Sequence, residues 1–249
     1  MKFSLITVSF NNAAHIKDTI ESIFAQDHSE IEYIIVDGGS TDGTVDIVRS
    51  YGERIDTFIS EPDKGVYDAM NKGIAAATGK IIGFVNADDM LATPDVISTL
   101  KKEFEKGVED AIYGDAYMVD ANDISNVKRY WRGGKYDREQ FRKGWMPPHL
   151  GTYIKRECYI EYGAFREDLS VSADYELMLR FMYKHKIRVR YLQKVIVRFR
   201  LGGVSNRSIG HILKANLEVY KSWRLNELKV SPLIVFRKPL SKLKQLIDK

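Results

Sequence analysis

The 249-residue chain is 44% hydrophobic and 29% charged with a formal net charge of +4, which excludes a disordered chain and fits one sizeable α/β domain with an appendage. Cys158 is the single cysteine, so neither an intramolecular disulfide nor a thiol metal site is expected, and a reducing compartment is. No apolar run reaches the roughly 20 residues of a membrane span, and the first ten residues are too short for a signal peptide.

In chain order, short β-branched runs alternate with helical periodicity. Phe3–Phe10 reads as a strand, followed by a helix with Ile16, Ile20, Ile23 and Phe24 on one face. Tyr33–Val36 is a second strand, leading through a Gly/Ser/Thr/Asp turn into a helix carrying Val45, Ile47, Val48 and Tyr51. Thr57–Ser60 is a third strand, a helix spans about Gly65 to Ala77, and Ile81–Val85 is the fourth strand. This alternation predicts a mostly parallel sheet covered on both faces. Beyond residue 110 the pattern changes. Ala111–Met118, Val127–Trp131, Arg188–Leu192 and Val195–Arg200 read as strands, and Ala173–Lys184 and Ile209–Leu225 as helices. The expected organisation is 1–110, then 111–225 as the other half of the same domain, then a tail over 226–249.

The most informative stretch is Asn86-Ala87-Asp88-Asp89, directly after a buried strand. Adjacent carboxylates there repel one another and resist desolvation, and a hard divalent cation or metal-bound polyphosphate relieves both costs. Asp37 also follows a strand. Sheets of this kind bind ligands beyond the carboxyl ends of their strands, so both acidic sites should face one crevice; the bland alternative is a pair of solvated turn aspartates. In Val36–Thr44, glycines permit close backbone approach, and Asp37 can accept hydrogen bonds from a nucleobase imide or a ribose hydroxyl. Ser40, Thr41 and Asp42 can cap the following helix, and a well-capped glycine-rich turn explains everything there except Asp37. An EF-hand is excluded because Gly39, Thr41 and Val48 stand where oxygen ligands are needed. The first strand–helix turn, Asn11-Asn12-Ala13-Ala14, is no dinucleotide fingerprint.

Four segments in this order, Thr7-Val8-Ser9-Phe10-Asn11, Val36 to Thr44, Asn71-Lys72-Gly73 and Phe84 to Asp89, resemble the nucleotide-binding half of glycosyltransferase family 2 enzymes. Glu61 to Gly73 resembles the subgroup that builds bacterial exopolysaccharide, capsule and lipopolysaccharide. The resemblance implies a GT-A type, Rossmann-like α/β fold with helices on both faces, an acceptor-side α+β extension and a C-terminal helical tail. Residues 1–110 would bind the nucleotide-sugar and 111–225 the acceptor. Thr7 and Asn11 would border base and ribose, Asp37 would hold the base (uracil), and Lys64 and Asn71 would lie with the donor. Asp88 would contact ribose or metal, with Asp89 beside it as a second metal ligand. The first acid of the family's DxD-type motif is Asn86 here, which lowers the site's charge and leaves the assignment between Asp88 and Asp89 open. Mn²⁺ or Mg²⁺ would neutralise the leaving diphosphate. Lys64 or Lys72 could assist by charge pairing, or be solvated helix-face residues.

The resemblance puts the general base at Asp174, with Asp168 and Glu176 as fallbacks. The same acid is also explained by the helix macrodipole. His149, in the Met146–Gly151 loop, could meet diphosphate, metal or acceptor, or simply satisfy loop backbone. Arg200–Ser205 resembles a loop that closes over the donor. Tyr130, Trp131, Tyr136 and Trp145 are candidates for sugar stacking or for core.

Residues 226–249 hold six Lys/Arg and two acids, which accounts for the whole formal excess. An apolar stripe (Leu240, Leu243, Leu246, Ile247) with Lys242 and Lys244 between suits an interfacial helix at an anionic membrane, or docking onto the protein's own body. The expectation is an inverting, metal-dependent transferase at the inner face of the cytoplasmic membrane. It would move one sugar from a nucleotide-sugar, UDP-linked, to a lipid-linked or polysaccharide acceptor, with no nucleic-acid partner. A non-catalytic nucleotide-binding subunit of a polysaccharide assembly and a sugar-nucleotidyltransferase are the alternatives. A processive synthase is disfavoured, since no Gln-x-x-Arg-Trp follows Asp174. The sequence names neither sugar, acceptor nor oligomeric state.

Overall fold

β1 (Phe3–Ser9) is buried along its whole length because strands flank it on both sides. Period-two alternation sends Phe3 and Leu5 to one face and Ile6 and Val8 to the other, where they join separate apolar clusters. The structure, a computed structural model, describes residues 1–202 and 209–234. α1 (Ile16–Phe24) buries Ile16, Ile20 and Ile23, the spacing of an amphipathic helix. β2 (Ile31–Asp37), α2 (Thr44–Arg49), β3 (Thr57–Ser60), α3 (Val66–Ala76) and β4 (Ile81–Phe84) complete the expected alternation. β5 (Met90–Leu91) and α4 (Val96–Lys106) follow. α4 is absent from the expected elements, although its buried Val96, Ile97, Leu100 and Phe104 have helical spacing.

The rest of the chain forms β6 (Ala111–Val119), β7 (Val127–Trp131), β8 (Thr152–Lys155), α5 (Arg156–Tyr162), α6 (Ala173–Met178), β9 (Val189–Arg200) and α7 (Ile209–Leu225). Among the described residues all the strands join one nine-stranded sheet, ordered β3-β2-β1-β4-β8-β6-β9-β5 with β7 paired to β6. β3, β2, β1 and β4 are parallel, whereas β8 enters antiparallel between β4 and β6. The sheet is thus parallel in its first half and mixed in its second.

Two of the expected elements take a different form. β9 is continuous where two strands are expected. Register shifts around Asp115 on β6 absorb the polar interruption, and Lys194 reaches Asp95 at 2.7 Å. The helix from Ala173 changes at Leu179 into a π turn, Leu179–Lys184, closed by the His185 N–H on Arg180 O at 2.9 Å.

α7 is integral to one face of the sheet. Trp223 is fully buried, its Nε1 donates to Tyr175 Oη at 3.0 Å, and that hydroxyl donates to Phe141 O at 2.8 Å. Removing a buried tryptophan costs about 3–5 kcal/mol. Asn226 Nδ2 donates to Glu176 Oε1 at 2.8 Å and Ile234 is buried, so the first part of the expected tail is docked. The apolar-basic stretch from 235 on lies outside the described residues. Among the described residues no helix is long and apolar enough to cross a membrane.

Register then places the candidate site. Ser9 pairs with Asp37 and Asp37 with Ser60, so the carboxyl ends of β1, β2 and β3 are level. Beyond β4, the Val85 and Ala87 N–H groups donate to Ile6 O and Val8 O at 3.0 and 3.3 Å. Asn86–Asp88 therefore flank the end of β1 on the side opposite Asp37.

Candidate active site

Asp37 closes β2 and is fully buried. Its Oδ2 accepts from Gly39 N (3.1 Å), Ser40 N (2.9 Å) and Ser60 Oγ (3.0 Å), while Ser40 Oγ donates to Oδ1. Burial without four such donors would be costly for a carboxylate, so the glycine-rich loop is wound around this side chain. In the structure the Asp37 carboxylate, expected to hold a base, faces its own loop. Its oxygens are engaged and covered by its own loop.

Asn86–Asp89 present two different acids. Asp88 is half-exposed, and its carboxylate receives no hydrogen bond from the described residues. Asp89 is only 3% exposed; burial, then the adjacent Asp88 charge, pushes its pKa well above the usual aspartate range. Its Oδ1 accepts the Arg200 N–H at 3.0 Å. Thr19 Oγ1 donates to its carbonyl at 2.6 Å. Arg200 fastens the same turn, with Nη1 on Asp88 O at 3.3 Å and Nη2 on Asp18 at 2.5 Å. Of the two acids expected to hold a metal, Asp88 is thus the more open and Asp89 the buried one. Asn86 Oδ1 is buried with no hydrogen-bond partner, an orphaned oxygen beside the open acid.

Asp174 opens α6, half-buried, and reaches the same end of the sheet through an aromatic group. Tyr67 Oη lies 3.4 Å from Asp174 Oδ1. The Tyr67 ring stacks on Phe165 at 5.6 Å, and Phe165 meets both Phe84 and His149 at 5.6 Å. Phe84 ends β4, just ahead of Asn86. Burial drives the Tyr67 pKa far above the usual phenol value, with the Asp174 charge adding to it, so its hydroxyl stays protonated. Burial lowers the His149 pKa against the opposing pull of Asp174, and its Nε2 is buried with no partner.

The loop entering α6 is held from α7. Glu218 accepts the N–H groups of Ser170 (3.2 Å), Val171 (2.9 Å) and Ser172 (2.8 Å). Nothing in sequence spacing links Glu218 to Asp174. Of the fallback acids, Asp168 pairs with Arg166 at 2.8 Å and Glu176 is buried against Arg180 at 3.0 Å, so neither is free.

Other expected site residues are also used by the fold. Thr7 is fully buried, with Oγ1 3.1 Å from Tyr33 Oη, and Asn11 Oδ1 accepts the Thr41 N–H at 2.9 Å. The Asn71 amide donates to Phe165 O at 2.9 Å and accepts Phe165 N–H at 2.9 Å. Both ends of the side chain expected to lie with the donor clamp α3 to the 165–167 segment. Lys72 pairs with Glu61 at 2.8 Å, whereas Lys64 is exposed. Tyr136 donates to Met182 O at 3.0 Å, and Trp145 meets Tyr113 and Phe141 edge-on. Tyr130, 42% exposed, retains free ring surface. Phe10 follows β1, 63% exposed, with its ring beside Gly38. An apolar ring placed where a strand meets its turn was the available signal. Of the loop expected to close over the donor, 203–205 lie outside the described residues.

A parallel α/β half with acids at its carboxyl edge, joined through a mixed sheet to a half that offers another acid, defines a GT-A type transferase fold. The chain belongs to glycosyl transferase family 2, whose family model matches residues 4–166. It is 31% identical over 210 residues to a PGL/p-HBAD biosynthesis glycosyltransferase of Mycobacterium bovis, covering 82% of this chain and 79% of that one. In structure it is similar to S. aureus TarS 1-349 in complex with UDP-GlcNAc (TM-score 0.71, 18% identity, 94% of this chain and 69% of that one). It is also similar to the mannosyltransferase PcManGT from Pyrobaculum calidifontis in complex with GDP-Man and Mn²⁺ (TM-score 0.67, 20% identity, 95% and 68%). The chain spans 41% of the longer TarS chain. At these identities the structural likeness is one of fold. The protein is a glycosyltransferase.

Proposed function

We propose that this glycosyltransferase is inverting and metal-dependent. It moves one sugar from a nucleoside diphosphate sugar, of the UDP class, to a lipid-linked or polysaccharide acceptor in bacterial surface glycan synthesis. The observation that carries this reading is the pairing of Asp88, open beyond β4, with Asp174, which the aromatic group brings to the same end of the sheet. The UDP-GlcNAc and GDP-Man complexes of fold relatives support a nucleotide-sugar donor.

A divalent ion fits the donor set. The Asp88 carboxylate and the unpartnered Asn86 Oδ1 are hard oxygens suited to Mn²⁺ or Mg²⁺. Among the described residues no group of three His, Cys, Asp or Glu side chains could hold a metal, so diphosphate oxygens and water would complete its shell. Bound there, the ion supplies charge neutralisation for the leaving diphosphate. Asp174 takes the proton of the acceptor hydroxyl as that oxygen attacks the anomeric carbon opposite the diphosphate, which inverts its configuration. Tyr67 steadies one carboxylate oxygen and leaves the other to receive the proton.

Membrane contact at the cytoplasmic face fits the basic 235–249 stretch together with Ile212, Leu213 and Leu217, all exposed on α7. A truncation testing it should keep the buried Ile234.

Thermal-shift titration with nucleoside diphosphates, with and without Mn²⁺, tests the donor site, and a hydrolysis panel of nucleotide-sugars then identifies the sugar. Failure of every nucleoside diphosphate to stabilise the protein would overturn the nucleoside diphosphate sugar as donor.

A further inference from the structure

We propose that Asp63 is the residue that reads the nucleobase, its Oδ2 accepting the ring N–H of uracil; this rests on the nucleotide-sugar reading of the crevice. Asp37 is fully buried, and donors from its own loop and from Ser60 already reach both of its oxygens. The next residue is Gly38, and a Cβ there would lie 2.2 Å from Asp63 Oδ2, 2.9 Å from Asp63 Cγ and 3.4 Å from the Phe10 ring. The Asp63 carboxylate thus occupies the space that a side chain on residue 38 would fill, against the backbone at the carboxyl end of β2. Only glycine leaves room for it.

The carboxylate is held there. Asp63 Oδ1 accepts the Gly65 N–H at 2.8 Å, where Gly65 has φ +124, a conformation that favours glycine. Glu61 N–H bonds Asp37 O at 3.0 Å, and Lys72 reaches Pro62 O at 3.3 Å and Glu61 at 2.8 Å. A turn-capping role accounts for Oδ1 alone. Oδ2 receives no hydrogen bond from the described residues.

An exposed flat ring and a fixed anionic acceptor beside it are complementary to a pyrimidine imide. Phe10 offers a stacking face, and the carboxylate accepts the N3–H of uracil or thymine. Cytosine presents a lone pair at N3 and is repelled, and a site built to bond one edge rejects the analogue lacking it.

The test is calorimetric titration of the full chain with UDP and with CDP, each with Mn²⁺. The wild type should bind UDP at least about 10-fold more tightly than CDP, and Asp63→Ala should erase that preference by weakening UDP alone. Asp63→Asn, which can donate to cytosine N3, should move the ratio toward CDP. Adding Gly38→Asp to Asp63→Ala returns a carboxylate to the same space and should restore the preference for UDP. If the wild type binds UDP and the Asp63 variants leave the UDP:CDP ratio unchanged, the role of Asp63 is refuted while the donor site stands. If the wild type binds no nucleoside diphosphate, the donor reading falls and this one with it.

Discussion

Glu218 on α7 accepts the backbone N–H of Ser172, two residues before Asp174, at 2.8 Å. With the Val171 and Ser170 N–H groups on the same carboxylate, one side chain sets the path of the loop that delivers the proposed base. Glu218→Ala leaves these N–H groups unpaired, a loss of about 1–3 kcal/mol, or roughly 2–4 °C in Tm per kcal/mol for a chain of this size. The functional effect should fall on kcat, with the KM for donor nearly unchanged, because Glu218 touches no part of the nucleotide crevice. Steady-state kinetics with donor and acceptor varied separately would show it. A rise confined to the donor KM would place Glu218 elsewhere in the machinery.

The acid limb of stability should depend on Glu32. Burial alone would raise its pKa, but Lys2, Ser4 and Thr78 donate to it and hold it at about 2, against an ordinary value of 4.5. Ser4 Oγ donates at 2.5 Å, Lys2 Nζ at 2.7 Å and Thr78 N at 2.8 Å. A carboxylate depressed in the folded state contributes stability that is fully present above its unfolded pKa and is lost as pH falls toward its folded one. Melting temperature should therefore decline between about pH 4.5 and pH 2, and Glu32→Gln should lower Tm at neutral pH while flattening that decline. An unaltered acid limb in the variant would show that other carboxylates govern it.

Asp88 and Asp89 should separate cleanly on substitution by asparagine. Asp88 is the open acid, and Asp89 is buried behind it with Oδ1 on the Arg200 N–H. Asp88→Asn should abolish most of the Mn²⁺-dependent part of nucleotide binding. Asp89→Asn keeps an acceptor for Arg200, so metal-dependent binding should persist within a few-fold of wild type. Calorimetry with and without Mn²⁺ distinguishes the two, and equal losses would restore Asp89 as a direct ligand.

The parallel half was legible in the sequence because its strands are apolar runs and its helices are amphipathic. β5, two residues long, exists only through pairing with β9, so no local pattern announces it. The π turn after Met178 likewise leaves the apolar periodicity readable as plain helix. At the site, the motif residues marked the right turns, but composition cannot say which way a turn side chain points. Asp37 and Asn71 stand in the expected segments with their polar atoms engaged by neighbouring backbone. Asp63 and Glu218 act across the chain, on Gly38 and on Ser170–Ser172, and only the fold brings those pairs together.

Asp174→Asn gives the most direct test of the chemistry. The amide is nearly isosteric and still accepts the Tyr175 N–H that Asp174 Oδ1 accepts at 2.8 Å, so the start of α6 should keep its shape. What is lost is the capacity to take a proton. Positioned general bases contribute about 10²–10⁴-fold, and kcat should fall by that order while calorimetric affinity for UDP with Mn²⁺ stays within a few-fold of wild type. NMR of the wild-type product should show the anomeric configuration inverted, since one base and one displacement permit a single inversion. Asp174→Asn that transfers sugar at the wild-type rate would remove Asp174 from the base role. Variant protein that folds but no longer binds nucleotide would instead assign Asp174 to holding the donor.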